Sequence, residues 1–361
     1  MTHVTVITQP VGSIGQSQMR SLLEIMTDVA DVSLVGGPLD DPYLQEYQSH
    51  QYTDQTSSSS LINDATRFIR DQLALCRVID DIDTDIFWFN GMQLYVIPIL
   101  YAKRRDIPVV VQPKGDVSLA LYLNWETHRY IRTPIFWALR GIERLSYTLA
   151  DYNVFYSSNM AKEYGVSNAI TDGMRFISDP YSYEIPFDER DSRIGFLGRH
   201  DADKNIDVLI DIAKQVDSEF HFAGTGPQLE WVKDQTAADD SITVHGWIDN
   251  PSEFLNELQL LVYPSTPIEG LPTTIMEAHT CGTPTITTPV SGNPDIIIDG
   301  ETGFLIDNAS SDDFVDRIEN TNEETLQEMS RNCREMAAVE FTKEAAVKRY
   351  KSILNTIISG K

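Results

Sequence analysis

Short runs of apolar residues alternate with segments of helical period along the whole chain. HVTVIT (3–8) precedes a glycine-containing turn and a helix-like stretch from about Gln16. DIFWFN (85–90) precedes a helix near 93–104, and IPVVVQ (107–112) and DYNVFY (151–156) are further short strands. The rhythm restarts after Asp191 with RIGFLG (193–198), EFHFAG (219–224), SITVHG (241–246), LQLLVYP (258–264) and TPTITT (283–288). Apolar, β-branched and aromatic runs of this length, separated by helices, predict parallel sheets built from βαβ units. Between the two series lies ISDPYSYEIPFDERDS (177–192), rich in proline and charge and without a period. It reads as a linker, so the fold expected is α/β with two doubly wound domains. We assign 1–178 to the first domain and 179–340 to the second. Residues 341–361 are helix-like and can pack back on the first domain. In doubly wound sheets ligands bind beyond the strand C-termini, which for two such domains suggests a facing, central cleft.

A length of 361 residues fits about two domains. The three cysteines, Cys76, Cys281 and Cys333, are far apart with no CxxC pair, which excludes a disulfide framework and a cysteine zinc site. A reducing, cytoplasmic setting is expected. The start reads as a first strand rather than a signal peptide, and no apolar run approaches membrane-spanning length. Charge changes the picture more. The chain carries 54 acids against 28 bases, a formal −26. Aspartate dominates the acids and lysine is scarce, as in proteins from salt-in halophiles, where the Debye length falls to about 3 Å and such a surface no longer repels itself. General nucleic-acid binding is disfavoured, because it requires a basic footprint. Residues 101–150 are the exception, with eight bases against four acids and an interleaving of Tyr122, Trp125, Tyr130, Phe136 and Trp137. That mixture suits peripheral contact with a membrane or a lipid-linked phosphate.

The candidate chemistry lies mostly in the second half. In IEGLPTTIMEAHTCGTPTITT (268–288), Gly270, Leu271 and Pro272 form a turn before a helix, whose free N–H groups and positive dipole end suit a pyrophosphate. Glu269 on the turn can accept hydrogen bonds from sugar hydroxyls, and Glu277, two helical turns on, can grip a ribose diol. In GFLGRHDADKN (195–205) a strand ends at Gly198 and is followed by Arg199 and Lys204, two cations able to neutralise a diphosphate leaving group. FAGTGPQL (222–229) makes a tight turn through Gly224, Gly226 and Pro227, and VHGWIDN (244–250) follows it. Near the start, PVGSIG (10–15) places Gly12 and Gly15 after the first strand without completing a dinucleotide fingerprint.

These blocks, in this order, together with GNPDIIIDGETGFL (292–305), resemble the family-4 retaining glycosyltransferases, which have the GT-B fold. The resemblance covers the second domain and, more weakly, the first. It implies transfer of a sugar from a nucleotide diphosphate donor to a glycan or lipid-linked acceptor, with retention at the anomeric carbon and no obligatory metal or cofactor. It places Arg199 and Lys204 on the donor phosphates, Glu269 on the donor sugar, Glu277 on the ribose, and the backbone of Gly12, Gly15, Gly198, Thr273 and Thr274 along the donor. The main chain near Trp247 to Asp249 would approach the base. One departure stands in VVVQPKGD (109–116), where Lys114 occupies the position of the family's cleft histidine; Lys114 and the adjacent Asp116 become acceptor contacts. Asp201 and Asp203 form a DxD inside the phosphate loop and are not assigned to a metal. A GT-B epimerase and a non-catalytic sugar-nucleotide-binding subunit remain as alternatives. The expected location is the cytoplasm, at the inner face of the cell membrane if lipid is the acceptor.

Overall fold

The computed structural model describes the chain except residues 55–60, 125–128, 168, 172, 174, 178–180, 192, 269, 309 and 361; side chains are described apart from 13, 14, 61–65, 123, 124, 129–131 and 202. Two compact units are present. One comprises Met1–Ser118, Thr127–Met174 and Ala346–Lys361, the other Leu119–Glu126 and Arg175–Ala345.

The first unit holds seven strands: β1 (His3–Thr8), β2 (Asp31–Gly36), β3 (Gln48–Gln51), β4 (Ile86–Asn90), β5 (Val109–Gln112), β6 (Tyr152–Val154) and β7 (Ala169–Ile170). They lie in the order β3-β2-β1-β4-β5-β6-β7, and every pairing is parallel. Its connecting helices are α1 (Ser13–Met26), α2 (Pro42–Tyr47), α3 (Leu61–Asp81), α4 (Val96–Ala102), α6 (Arg129–Leu149) and α7 (Ser158–Tyr164), whereas α5 (Val117–Asn124) lies mostly in the Leu119–Glu126 segment of the other unit. Central strands covered on both faces need apolar residues throughout, and Phe87, Trp88 and Phe89 of β4 and Val109, Val110 and Val111 of β5 are fully buried.

The second unit has β8 (Arg193–Leu197), β9 (Glu219–Ala223), β10 (Ile242–Gly246), β11 (Leu260–Tyr263), β12 (Thr285–Thr287) and β13 (Gly303–Leu305), ordered β10-β9-β8-β11-β12-β13 and again parallel. Its helices are α8 (Ile206–Ala213), α9 (Leu229–Thr236), α10 (Pro251–Glu257), α11 (Thr273–Thr280), α12 (Asn293–Ile296), α13 (Ser311–Glu319) and α14 (Glu323–Glu340). The core gathers Phe196, Phe220 and Phe222 from the strands with Ile275 and Phe314 from the helices. The last helix, α15 (Lys343–Ser359), returns to the first unit. There Tyr350, fully buried, packs on Trp88, and its hydroxyl accepts a 3.1 Å hydrogen bond from Gln112 Nε2.

Four strands escaped the apolar-run reading. β2 alternates Val32 and Leu34 with polar residues, a signal that was available. β3, Gln48–Gln51, has no aliphatic or aromatic residue and exists only through its pairing with β2. β7 and β13 are too short to show a period. All three cysteines are free and buried. Among the described residues no helix is long and apolar enough to cross a membrane.

Candidate active site

In a doubly wound sheet the chain leaves two neighbouring strands in opposite directions at one point, and the loops there part to leave a ligand crevice. In the second unit that point lies between β8 and β11. The loop after β8 carries Gly198, Arg199 and Lys204; the loop after β11 leads through Gly270 and Pro272 into α11. Two hydrogen bonds tie the loops together: Thr266 Oγ1 donates to the Asp203 carbonyl at 2.9 Å, and Asn205 Nδ2 donates to the Pro264 carbonyl at 2.8 Å. A third loop closes on the second. Gly292 N donates to Gly270 O at 2.8 Å, and a Cβ at Gly292 would stand 2.8 Å from that same carbonyl oxygen, so a side chain there would push the backbone apart.

Gly198, Arg199 and Lys204 therefore share this switch point with Thr273 and Thr274. No side chain caps α11, whose N-cap is Pro272. Its first N–H groups therefore remain available to an anion. Lys204 is buried, with its ammonium 5.2 Å from the Tyr263 ring centroid. The Arg199 guanidinium is more than half exposed and lies 2.9 Å from Asp201 Oδ2 and 3.7 Å from Asp203 Oδ1. Both aspartates of the DxD are thus arginine partners, and a phosphate reaching Arg199 competes with them. Among the described residues no group of three or more His, Cys, Asp or Glu side chains is placed to hold a metal ion.

Glu277 lies one helical turn beyond Thr273 on α11. Burial pushes its carboxyl up to about 7, and a hydrogen bond with Tyr181 pulls the other way. The Tyr181 hydroxyl is itself pushed well up, first by its own burial and then by Glu277. Tyr181 belongs to the linker, which is not slack. Asn256 Oδ1 accepts from Glu184 N at 2.8 Å, its Nδ2 donates to Ser182 O at 2.8 Å, and Arg190 donates to the carbonyls of Ile185, Leu258 and Cys281. Glu269 lies outside the described residues.

The GTGP turn supports the loop after β8 directly. Gly224 has φ +116°, and a Cβ there would stand 2.0 Å from Gly198 O; one at Gly226 would stand 2.3 Å from His200 O. His200 N donates to Thr225 O at 2.9 Å. The His200 ring is buried between Phe196 and Phe222, and burial pushes it down to about 4, so it is a neutral wedge anchoring the loop between Arg199 and Asp201. No sequence signal marked His200 or Tyr181, because each acts through what it touches. Trp247 does not pack into the core. It is 73 % exposed, with its indole N–H donating to Asp249 at 3.0 Å.

Gly12, Gly15, Lys114 and Asp116 belong to the first unit. Gly12 is the N-cap of α1 and faces open space, whereas a Cβ at Gly15 would stand 2.8 Å from Val11 Cβ. Gln16, which the sequence did not mark, fixes this loop. Its Nε2 donates to Val11 O, and its Oε1 accepts from the amides of Asp40 and Asp41. Lys114 follows β5, and its side chain runs over Gly91, where a Cβ would stand 3.1 Å from Lys114 Cδ. Burial pushes its ammonium down to about 8. Asp116 is engaged within the protein: Arg140 Nη1 lies 2.6 Å from its Oδ2, and Ser118 Oγ lies 3.0 Å from its Oδ1. Arg140 also meets the buried Glu143 at 3.3 Å.

Comparison with known proteins follows this geometry. Residues 191–323 match the family model of group 1 glycosyl transferases. An uncharacterized 41.2 kDa protein in the cps region of Klebsiella pneumoniae is 30% identical over 162 residues, 44% of this chain and 44% of that protein. A UDP-Gal:α-D-GlcNAc-diphosphoundecaprenol α-1,3-galactosyltransferase from Escherichia coli is 27% identical over 150 residues, 40% of this chain and 38% of that enzyme. The alignments thus span less than half of either relative. The crystal structure of Anabaena HepE in complex with UDP and glucose superposes with a TM-score of 0.72 at 14% identity, covering 98% of this chain and all of that one. The chain has the GT-B fold, and the part of it that holds the β8/β11 switch point matches the group 1 glycosyltransferases.

Proposed function

We propose that the protein is a retaining, hexosyltransferase-type glycosyltransferase that moves a sugar from a nucleotide diphosphate donor to a glycan or lipid-linked acceptor. The observation that carries this reading is the meeting of an uncapped helix N-terminus, a buried lysine and a half-exposed arginine at one switch point. The second unit holds the donor. Its diphosphate receives the amides of Thr273 and Thr274 and the charges of Arg199 and Lys204; leaving-group charge grows as the glycosidic bond breaks, so these two cations act most in the transition state. They supply the positive charge without an obligatory metal or cofactor. Glu277 accepts the ribose diol, Glu269 contacts the donor sugar, and the exposed Trp247 is available to the base. Gly12, Gly15 and Gly198 let backbone approach the donor closely. The first unit holds the acceptor through Lys114, a cation with no described carboxylate beside it, on a loop that Asp116 secures.

The same reading includes a cytoplasmic location, a peripheral contact with the inner face of the membrane through 101–150, and an origin in a salt-in halophile, the last supported by the charge of −26. The test is a panel of UDP-, GDP- and ADP-sugars screened by thermal shift in molar KCl, followed by nucleoside diphosphate release with and without acceptor. One stabilising donor and acceptor-dependent release are expected. Acceptor-independent turnover of the donor, or stabilisation by no sugar nucleotide, overturns the proposal.

A further inference from the structure

Between Gly198 and Asn205 the loop after β8 carries two carboxylates, Asp201 and Asp203, beside its two cations, Arg199 and Lys204. Carboxylates weaken an anion site, since each repels the ligand. Here both are held in place. Lys204 N donates to Asp201 O at 3.0 Å, and Thr266 Oγ1 donates to Asp203 O at 2.9 Å, which pins the main chain at both positions. The aspartate side chains are 17% and 15% exposed, whereas that of Arg199 is 55% exposed. Arg199 Nη2 lies 2.9 Å from Asp201 Oδ2 and 3.7 Å from Asp203 Oδ1, and Asp203 Oδ2 lies 3.9 Å from Lys204 Nζ. Asp203 thus stands between the two cations, and Asp201 makes the shorter contact with the arginine. Of this set the exposed guanidinium is the group with room to move, so an arriving phosphate draws Arg199 away from fixed carboxylates.

We propose that Asp201 and Asp203 are internal competitors of the donor diphosphate: they hold Arg199 before the donor arrives, yield it to the phosphate, and take it back as the nucleoside diphosphate product leaves. The inference rests on the donor reading given above and adds how donor affinity and product release are set. Breaking the pair offsets part of what the phosphate gains at Arg199. The arginine therefore adds little to ground-state affinity and acts mainly as leaving-group charge grows. Salt acts on both sides of this exchange. Rising salt weakens the exposed Arg199–Asp201 pair, and it also weakens the contact of the guanidinium with phosphate. Because one replaces the other, the two losses oppose, and donor affinity changes less with salt than at a site whose cations face no carboxylate.

The test is calorimetric titration of the full chain with UDP, GDP and ADP, and in parallel with inorganic pyrophosphate, from the lowest KCl at which the parent keeps its melting temperature up to molar KCl. For the nucleoside diphosphate that binds, Asp201→Asn should tighten binding about twofold to fivefold at the low-salt end, the range of one exposed ion pair, and converge on the parent in molar KCl. Its affinity should therefore fall more steeply with salt than the parent's. Asp203→Asn should act in the same direction and repeats the measurement should Asp201→Asn not fold. Asp201→Glu, which keeps the charge, should follow the parent. In steady state the asparagine variants should be inhibited more strongly by the same nucleoside diphosphate, with kcat no higher than the parent's. Variants that bind no more tightly than the parent at low salt overturn the proposal, and so does a gain that is equal at every salt. Pyrophosphate binding with this salt pattern, where no nucleoside diphosphate binds, keeps the competition and loses the donor reading. Nucleoside diphosphate binding that neither asparagine alters keeps the donor reading and loses the competition. Binding of neither ligand removes both.

Discussion

Glu277→Gln should make the free protein more stable and the enzyme worse. Burial raises the Glu277 carboxyl from 4.5 to about 7. The folded state therefore holds a proton that the unfolded state releases, and stability falls as pH rises from 4.5 through about 7. Each pH unit is worth about 1.4 kcal/mol, so the ionised carboxylate costs about 3 kcal/mol above pH 7 and nothing below 4.5. Glutamine has the same shape and no charge, and it keeps a group that Tyr181 can reach. Urea unfolding of parent and variant should give equal stability near pH 4, with the variant ahead by about 3 kcal/mol at pH 8.5. At pH 8.5, where the parent carboxyl is ionised, the variant should bind the donor about tenfold or more weakly, because an amide accepts less strongly from a diol than a carboxylate does. A stability difference that does not change with pH would refute the burial argument. Unaltered donor affinity would refute the ribose role.

Arg199→Ala should lower kcat by about tenfold to a hundredfold and move donor affinity less, measured by steady-state kinetics; normal turnover removes the phosphate role. His279 is fully buried and pushed from 6.5 down to about 3, so the fold needs it neutral, and its contribution is lost as pH falls below 6.5. His279→Leu should accordingly gain about 2 kcal/mol on the parent between pH 8 and pH 5 in urea unfolding, and a pH-independent difference would count against it. The fold should weaken as salt is removed, since −26 on 361 residues repels itself in dilute buffer; an identical melting temperature in dilute buffer and molar KCl would refute the halophile reading.

Much of the architecture was legible in the residues. Strands apolar up to their last residue, such as Ile86–Asn90 and Val109–Gln112, are what parallel sheets covered on both faces require, and their alternation with helices gives the doubly wound fold. The glycine turn after β8 and the turn into α11 were legible too, because close backbone approach and helix N-termini demand particular residues at fixed spacing. Strand β3 was not, since Gln-Ser-His-Gln has no apolar period and acquires its conformation from pairing with β2 and from side-chain hydrogen bonds of Gln48 and Ser49 to the Gly37 and Leu34 carbonyls. Nor were the raised carboxyl of Glu277, the neutral ring of His200 or the engagement of Asp116 by Arg140, three different fates for residues that carry ordinary charge in a sequence. Helical and strand periods are properties of neighbours along the chain and are written in the sequence. Burial and strand pairing depend on what distant segments bring to the same place, and only the tertiary structure decides them.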